Sequence, residues 1–559
     1  MAPSGGAKDT KPPQLIQTSP PNFQTNFSSR KISMEFDEYV QTKDPQTQVI
    51  VSPPLQYPLE YLSKGKSLQI KITDTLKANT TYNFNFGQSI ADLNEGNLLP
   101  EFNYVFSTGN HIDSLQIDGS IVDAFSRTPE ADVVVMLYKE NSDSLPYQKL
   151  PAYFDRTDQA GNFSVKNVAQ ASYKIFALLD KNNNYRYDNP DEEKIAFLDS
   201  LVTPIFMDTP DTNKKALTKA DTALNQSLAS SDTTTIKRKG KNWAKNEGNP
   251  LQLTLFSEPK EKQNLKKWMY DRIGKLQLVY TIPFNKFNYE WLKPLSSNTW
   301  ESLEYSSNKD SVILWMNDTL SDSLNIRFWV DSFPADTLKL LYKKVKKEGA
   351  KGKTKQNTPE KWHLQIPGTG MDPTGEINLS SPKPLVLADF TKAILSSGKD
   401  TLEFKLLADS LSQRKVKIKY PWKQDKEYRF YIPPGALEDI DNKPNDTLQV
   451  QFKVKAAKEF GTMKLKLSFE KKPENYVLQL LNEKGLMVRE KKISKDGNLF
   501  FSFLLPGNYK FRLIIDSNGN GRWDSGKYLE HRQPEPVIIY DGKIEIKANW
   551  DLDLEWVVK

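Results

Sequence analysis

The stretch Asp516-Ser517-Asn518-Gly519-Asn520-Gly521-Arg522-Trp523-Asp524 has a counterpart earlier in the chain, Asp180-Lys181-Asn182-Asn183-Asn184-Tyr185-Arg186-Tyr187-Asp188. The correspondence continues upstream at the same offset. Gly161-Asn162 matches Gly497-Asn498, Tyr173-Lys174 matches Tyr509-Lys510, and the apolar run Ile175 to Leu179 matches Phe511 to Ile515. An offset held constant from residue 161 to residue 188 marks a duplicated folding unit. This constrains the fold more than any single motif, because a unit used twice must be a module with its own core.

At 559 residues the chain is too long for one core and reads as several domains. Its 34 prolines, 23 tyrosines and 28 phenylalanines favour strands separated by many turns. No segment is apolar for long enough to read as a membrane-spanning helix. There is no cysteine, which excludes disulfides, thiolate metal sites and a cysteine nucleophile within this sequence. The three histidines, His111, His363 and His531, are not spaced as metal ligands, so neither zinc nor Ser-His-Asp chemistry is supported. The net charge of +7 is mild for this length. Its basic runs, Lys237 to Lys241 and Lys343 to Lys355, lack interleaved aromatics and read as solvated loops, not a nucleic-acid site.

Residues 1–10 are small and polar and read as a tether. Over 11–110, period-two runs such as Ile32 to Phe36, Leu68 to Ile72 and Tyr82 to Phe86 alternate with turns, as in an antiparallel sandwich. A second β unit spans 111–206 and includes Val133 to Tyr138 and Tyr173 to Leu179. Residues 207–249 are rich in Thr, Asp, Ser, Lys and Asn, which predicts a flexible linker or loop. Strand patterns resume over 250–372, an additional β domain. Residues 373–455 echo the first domain, with Tyr428 to Ile432 answering Tyr82 to Phe86 and Asp439 to Asn442 answering Asp92 to Glu95. Residues 456–559 repeat the second. The expectation is an all-β, multidomain string of antiparallel sandwiches.

Leu76-Lys77-Ala78-Asn79-Thr80-Thr81-Tyr82, Asp92-Leu93-Asn94-Glu95-Gly96-Asn97 and Phe106-Ser107-Thr108-Gly109 resemble the bacterial Ig-like domains of surface proteins. With the leader Gly5 to Thr10, the start is similar to the Ig-like-domain lipoproteins of Bacteroidota. The resemblance implies an outer-membrane lipoprotein, at the cell surface or on the periplasmic face, anchored through a lipidated cysteine that is not present in this chain; Met1 stands first here. The Gly-Asn turn followed by a Tyr-led strand resembles transthyretin-like, carboxypeptidase-regulatory-like domains, which implies a scaffold for both repeated units.

The repeated loop carries the one chemical motif. Asp516, Asn518, Asn520 and Asp524 place oxygen side chains at loop positions that encircle a hard cation such as calcium, with Gly521 at the sharp turn and the Arg522 carbonyl facing inward. The usual acid at the twelfth position is replaced by Lys527, and Glu530 substitutes only if the chain curls back. The twin offers Asp180, Asn182, Asn184, Asp188 and the Arg186 carbonyl, with Asp191, Glu192 and Glu193 at its far end and Tyr185 in place of the glycine. The competing reading is an Asx turn, in which Asp and Asn cap their own backbone and need no metal. Gly368-Thr369-Gly370 is followed by Asp372-Pro373 and reads as an interdomain turn, not a nucleotide loop.

Three functions are compatible with this organisation. The first is a non-enzymatic cell-envelope scaffold that binds an outer-membrane protein complex as an accessory subunit in assembly, secretion or uptake. The second is a carbohydrate-binding or adhesive surface protein that uses aromatic side chains of the 250–372 domain. The third, an enzyme with its site in that domain, lacks a recognisable constellation.

Overall fold

The structure, a computed structural model, describes residues 9–206, 245–246, 249–260, 262–271, 274–293, 300–316, 323–341, 361–366, 371–470 and 475–559. Most of the expected tether, most of the 207–249 linker, both basic runs and the Gly368–Gly370 turn lie outside these residues. The fold is all-β, built of antiparallel sandwich units, and among the described residues the helices between strands are single turns. It divides into two compact units: Met1–Pro259 with Asn475–Val477 and Leu513–Ile539, and Lys260–Glu474 with Leu478–Arg512 and Tyr540–Lys559.

The first sandwich of the first unit pairs Leu15–Ser19, Lys31–Phe36, Ser67–Lys71 and Glu60–Lys64 in that spatial order. Opposite lie Ile50–Ser52, Thr81–Asn85 and Asn103–Ser107. Period two holds in Lys31–Phe36, which buries Ile32, Met34 and Phe36 and turns the intervening residues outward. Thr81–Asn85 departs from it. Tyr82 and Phe84 enter the core, while Thr81 and Asn83 are buried on the other face. That face meets the second sandwich: Asn83 Nδ2 donates to Asn167 Oδ1 at 3.1 Å, and Asn167 Nδ2 donates to the Asp113 carbonyl at 2.9 Å. Phe154 N donates to Ser52 Oγ at 3.1 Å.

One sheet of the second sandwich is ordered Tyr153–Arg156, Val134–Tyr138, Lys174–Leu179, Lys194–Phe197. The other is built on Leu115–Asp123, which pairs with Asn162–Val168 and Ile205–Phe206. Gln252–Leu255 also joins Leu115–Asp123, running parallel to it. The boundary expected at 250 therefore falls later, because this strand completes the second sandwich and does not open the next domain. The duplication reaches equally far: in the C-terminal module Asp551–Val558 pairs in parallel with Gly461–Phe469, and Gly497–Leu504 pairs antiparallel to it.

The continuous apolar run Val133 to Tyr138 buries both faces. Val133, Val135 and Leu137 line the sandwich interior with Ile175 and Ala177. Val134, Met136 and Tyr138 line a second core with Phe176, Leu178, Phe197 and Tyr528. Tyr528 comes from the C-terminal segment and is fully buried. Its ring meets Phe176 edge-on at 5.4 Å and Phe197 at 5.0 Å, and stacks on Tyr147 at 6.0 Å. Its hydroxyl donates to the Asp143 carbonyl at 2.8 Å, and its backbone N–H donates to Glu258 Oε1 at 2.6 Å. Glu258 Oε2 accepts from the Tyr187 hydroxyl at 2.9 Å. His531 sits between Asp199 and Asp143, 3.0 Å from each, and these hydrogen bonds hold its imidazole above the ordinary value. Replacing Tyr528 by Ala removes a fully buried aromatic and is expected to cost about 3–5 kcal/mol. Hydrogen exchange should then show lost protection across Val134–Tyr138 and Lys174–Leu179, while Lys31–Phe36 keeps its protection.

In the second unit, Leu265–Asp271, Lys275–Tyr280, Ser311–Met316 and Glu301–Tyr305 face Phe287–Trp291, Ser323–Val330 and Asp336–Leu341. The next sandwich sets His363–Gln365, Ile377–Ser380, Lys415–Lys419 and Lys405–Ala408 against Asp400–Leu402, Ile394–Ser397, Glu427–Ile432 and Leu448–Lys453. His363–Gln365 thus pairs beyond the expected 372 boundary, in register with Ile377–Ser380. These two sandwiches are joined at Glu304. Its carboxylate accepts from Arg414 Nε at 2.8 Å, Ser412 Oγ at 2.9 Å and Trp315 Nε1 at 2.9 Å. The Arg414 guanidinium lies 5.1 Å from the Trp315 ring centroid. Trp315 is wholly buried at this joint.

Desolvation pushes the Glu304 carboxyl up, but the bonds and charge of Arg414, with those of Trp315 and Ser412, outweigh it and hold the group below its ordinary value. A depressed acid stabilises the fold above its unfolded pKa, ~4.3 for Glu, and that contribution is lost as pH falls through the folded value. Acidification below pH ~4 should therefore raise hydrogen exchange at Glu301–Tyr305. Arg414→Met, which strands a buried carboxylate, should do so at neutral pH, at a cost of about 3–5 kcal/mol.

Candidate functional site

Each repeated loop follows the strand predicted to precede it, Lys174–Leu179 in one module and Gly507–Ile515 in the other. Both belong to the first unit from residue 513 onward. In the later loop Asp516 is buried and caps the turn: Oδ1 accepts from Asn520 N at 3.1 Å and Oδ2 from Gly521 N at 2.7 Å. Asn518 Oδ1 accepts from Asn520 N at 3.0 Å, and Asn520 Oδ1 from Arg522 N at 2.9 Å. Both amide groups then donate to Asp524 Oδ2, Asn518 Nδ2 at 2.6 Å and Asn520 Nδ2 at 2.5 Å.

The twin repeats this pattern residue for residue, except that its two amides reach different oxygens of Asp188. Asp180 accepts from Asn184 N at 3.4 Å and Tyr185 N at 2.8 Å. Asn182 and Asn184 accept from Asn184 N and Arg186 N, and donate to Asp188 at 3.0 and 2.6 Å. Left-handed backbone falls at equivalent places, φ 72° at Gly519 and 79° at Gly521 against 59° at Asn183 and 57° at Tyr185. Tyr185 takes the glycine conformation while its ring packs on Phe154, centroids 4.7 Å apart. The structure thus brings Asp516, Asn518, Asn520 and Asp524 together, and likewise Asp180, Asn182, Asn184 and Asp188. Arg522 contributes its backbone N–H, and its side chain is largely exposed; Arg186 does the same through its N–H.

A glutamate closes each loop from downstream. Glu535 accepts from Ser517 N at 2.8 Å and Asp524 N at 3.0 Å; Glu193 accepts from Lys181 N at 3.4 Å and Asn189 N at 3.1 Å. Desolvation raises both carboxyls above their ordinary value despite these bonds. Glu530, the residue considered for this place, instead pairs with Lys527 within a hairpin that Lys527 and Arg532 close. That extra turn shifts Glu535 off the constant offset, which is why the repeat did not reveal it. Among the described residues no group of three or more His, Cys, Asp or Glu is placed to hold a metal ion. Any cation here must take amide oxygens, which in this hydrogen-bonded form are engaged with the backbone.

Among the described residues, His111 bonds Asn110 and lies near Asp113, and His531 bonds Asp143 and Asp199; neither is bonded to a hydroxyl nucleophile.

Residues 9–108 match the family model of the bacterial Ig-like domain. The sequence has no match among the curated proteins. Among solved structures, the S-layer protein rSbsC is similar over 95% of this chain and 67% of its own, at 12% identity and a TM-score of 0.14. BcpA, the major pilin subunit of Bacillus cereus, is similar over 79% of this chain and 98% of its own, at 8% identity and a TM-score of 0.13. Native alpha-2-macroglobulin from Escherichia coli covers 32% of this chain and 71% of its own, at 8% identity and a TM-score of 0.16. Values this low assign no function.

Proposed function

We propose that this chain is a non-catalytic adhesive scaffold at the cell surface, a series of β-sandwiches whose polar side chains are spent on holding modules together. The carrying observation is the Ig-like first module, joined to the second through the buried Asn83–Asn167 amide pair. Antibodies raised against the purified chain should label intact cells, and deletion of the gene should reduce attachment to a surface. Unlabelled cells and unchanged attachment would remove the reading. Recovery of the chain in a stoichiometric envelope complex would favour the accessory-subunit role instead, and metabolic lipid labelling of the native protein tests the lipoprotein anchor that the opening residues suggest.

The two loops carry a related proposal, that they hold calcium as a weak structural ion. The donors would be the carboxylates of Asp516 and Asp524 with the amides of Asn518 and Asn520 turned inward, and their counterparts at Asp180, Asp188, Asn182 and Asn184. Two neutral amides among four side chains give low charge and weak binding. Millimolar calcium should raise the melting temperature of the wild type, and Asp516→Ala should reduce that shift by removing one loop. Melts that do not respond to calcium or chelator would leave both loops as hydrogen-bonded turns.

A further inference from the structure

The outer face of one sheet in the second unit concentrates positive charge. That sheet is ordered His363–Gln365, Ile377–Ser380, Lys415–Lys419, Lys405–Ala408. Its inner face buries Ile377, Leu379 and Ile418 in the core of its sandwich. Cross-strand partners share a face, so the registers arrange the outer residues in rows. His363, Ser380 and Lys415 form one row, and Gln365, Asn378, Lys417 and Leu407 form the next. Beyond it Lys419 stands opposite Lys405. All four lysines are exposed.

These ammoniums are weakly answered. Glu376 lies 3.6 Å from Lys417 Nζ and 3.9 Å from Lys419 Nζ, too far for a hydrogen bond to either. Lys405 and Lys415 have no ion-pair partner among the described residues. Asp409, at the end of the face beside Lys415, accepts from Leu411 N at 2.9 Å. Like charges directly opposite on neighbouring strands, as at Lys405 and Lys419, are unfavourable, and an anion laid across them relieves that cost.

The layout narrows the ligand. Alternate residues of a strand stand about 6.8 Å apart, so Lys415, Lys417 and Lys419 make a straight row of point charges. A small anion needs donors that converge, and these stand apart on an open face. A partner whose charges repeat along a chain meets them together. Ser380, Asn378 and Gln365 lie beside the row, and their side chains have no hydrogen-bond partner among the described residues. Hydroxyls and side-chain amides both donate and accept, as sugar hydroxyls require. The rows contain no Phe, Tyr or Trp on which the bases of a single-stranded nucleic acid could stack. Their aliphatic side chain, Leu407 at 42% exposure, is too little apolar surface to enter a lipid interface.

We infer that this sheet face binds a linear anionic polysaccharide. Lys405, Lys415, Lys417 and Lys419 meet its carboxylates or sulfates, and Asn378 and Gln365 meet its hydroxyls. The inference deepens the adhesive reading and rests on it for its biological sense, but not for its chemistry.

The test measures retention of the purified full chain on immobilised polygalacturonate and dextran sulfate, with uncharged dextran, duplex DNA and phosphatidylglycerol vesicles as comparisons. The chain should be held by an acidic polysaccharide more tightly than by DNA or vesicles, pass through dextran, and be released as salt rises. Retention on polygalacturonate assigns carboxylates and retention on dextran sulfate assigns sulfates; either supports the inference. Lys415→Gln, Lys417→Gln and Lys419→Gln together should weaken binding about tenfold or more without lowering the melting temperature, since all three side chains are exposed. The same charge removed elsewhere, by Lys464→Gln, Lys484→Gln and Lys492→Gln, should leave binding within about twofold. No retention by either polysaccharide, equal weakening by the two triple variants, or tighter binding to DNA or vesicles overturns the inference. Retention by a chain that plays no part in cell attachment would remove the adhesive reading and leave the face standing. Attachment that depends on a chain neither polysaccharide retains would do the reverse.

Discussion

Both faces of the sheet containing Val134–Tyr138 and Lys174–Leu179 are apolar, and the first unit is organised around covering them. A sheet in a two-layer sandwich needs only one buried face. Here the outer face is covered by Tyr187 from the module's own loop and by Tyr528 from a segment far along the chain. Burying one large apolar side chain is worth about 1.5–3 kcal/mol, so that face is too costly to leave wet. The partners that make this cover specific are polar. Glu258 receives Tyr187 through one oxygen and the Tyr528 backbone through the other, so the two repeats meet at a single carboxylate.

The same economy recurs at Glu304 in the second unit and at Asn83 in the first. Each is a buried polar group at a joint between sandwiches, and a joint of this kind resists sliding because a displaced partner leaves an unpaired charge or amide behind. Glu304 is fully answered by Arg414, Ser412 and Trp315. Asn83 is only half answered: its amide donates to Asn167, while its Oδ1 is buried without a hydrogen-bond partner.

Strand periodicity in Lys31–Phe36 and the constant offset between the loops were legible in the sequence, because both depend on neighbours along the chain. Asx closure was legible in part: Asp516 and Asp180 each occupy the position from which a carboxylate reaches the following N–H groups. The partners that depend on distant segments were not. Nothing in the spacing of Glu535 ties it to Ser517 across an added hairpin, and nothing in Tyr528 distinguishes an exposed turn residue from one inserted between Phe176 and Phe197. Trp315 lies in the apolar run Val312 to Met316, but its bond to Glu304 required the fold. The buried outward face of Thr81–Asn85 was hidden because Asn83 looks like the wet half of an alternating strand until a second sandwich is placed against it.

The parallel strand Gln252–Leu255 has a consequence for how the chain is made. The second sandwich opens with Leu115–Asp123 yet gains its last partner only after residue 255 has been synthesised. Until then one edge of Leu115–Asp123 presents unpaired backbone groups, a template for any extended segment nearby. The nascent module is therefore an open ladder for the whole time that residues 207 to 251 are being added. A chain cut short anywhere in that interval would keep the hydrophobic content of the module but not its closure, and would be a sticky fragment, not a smaller domain.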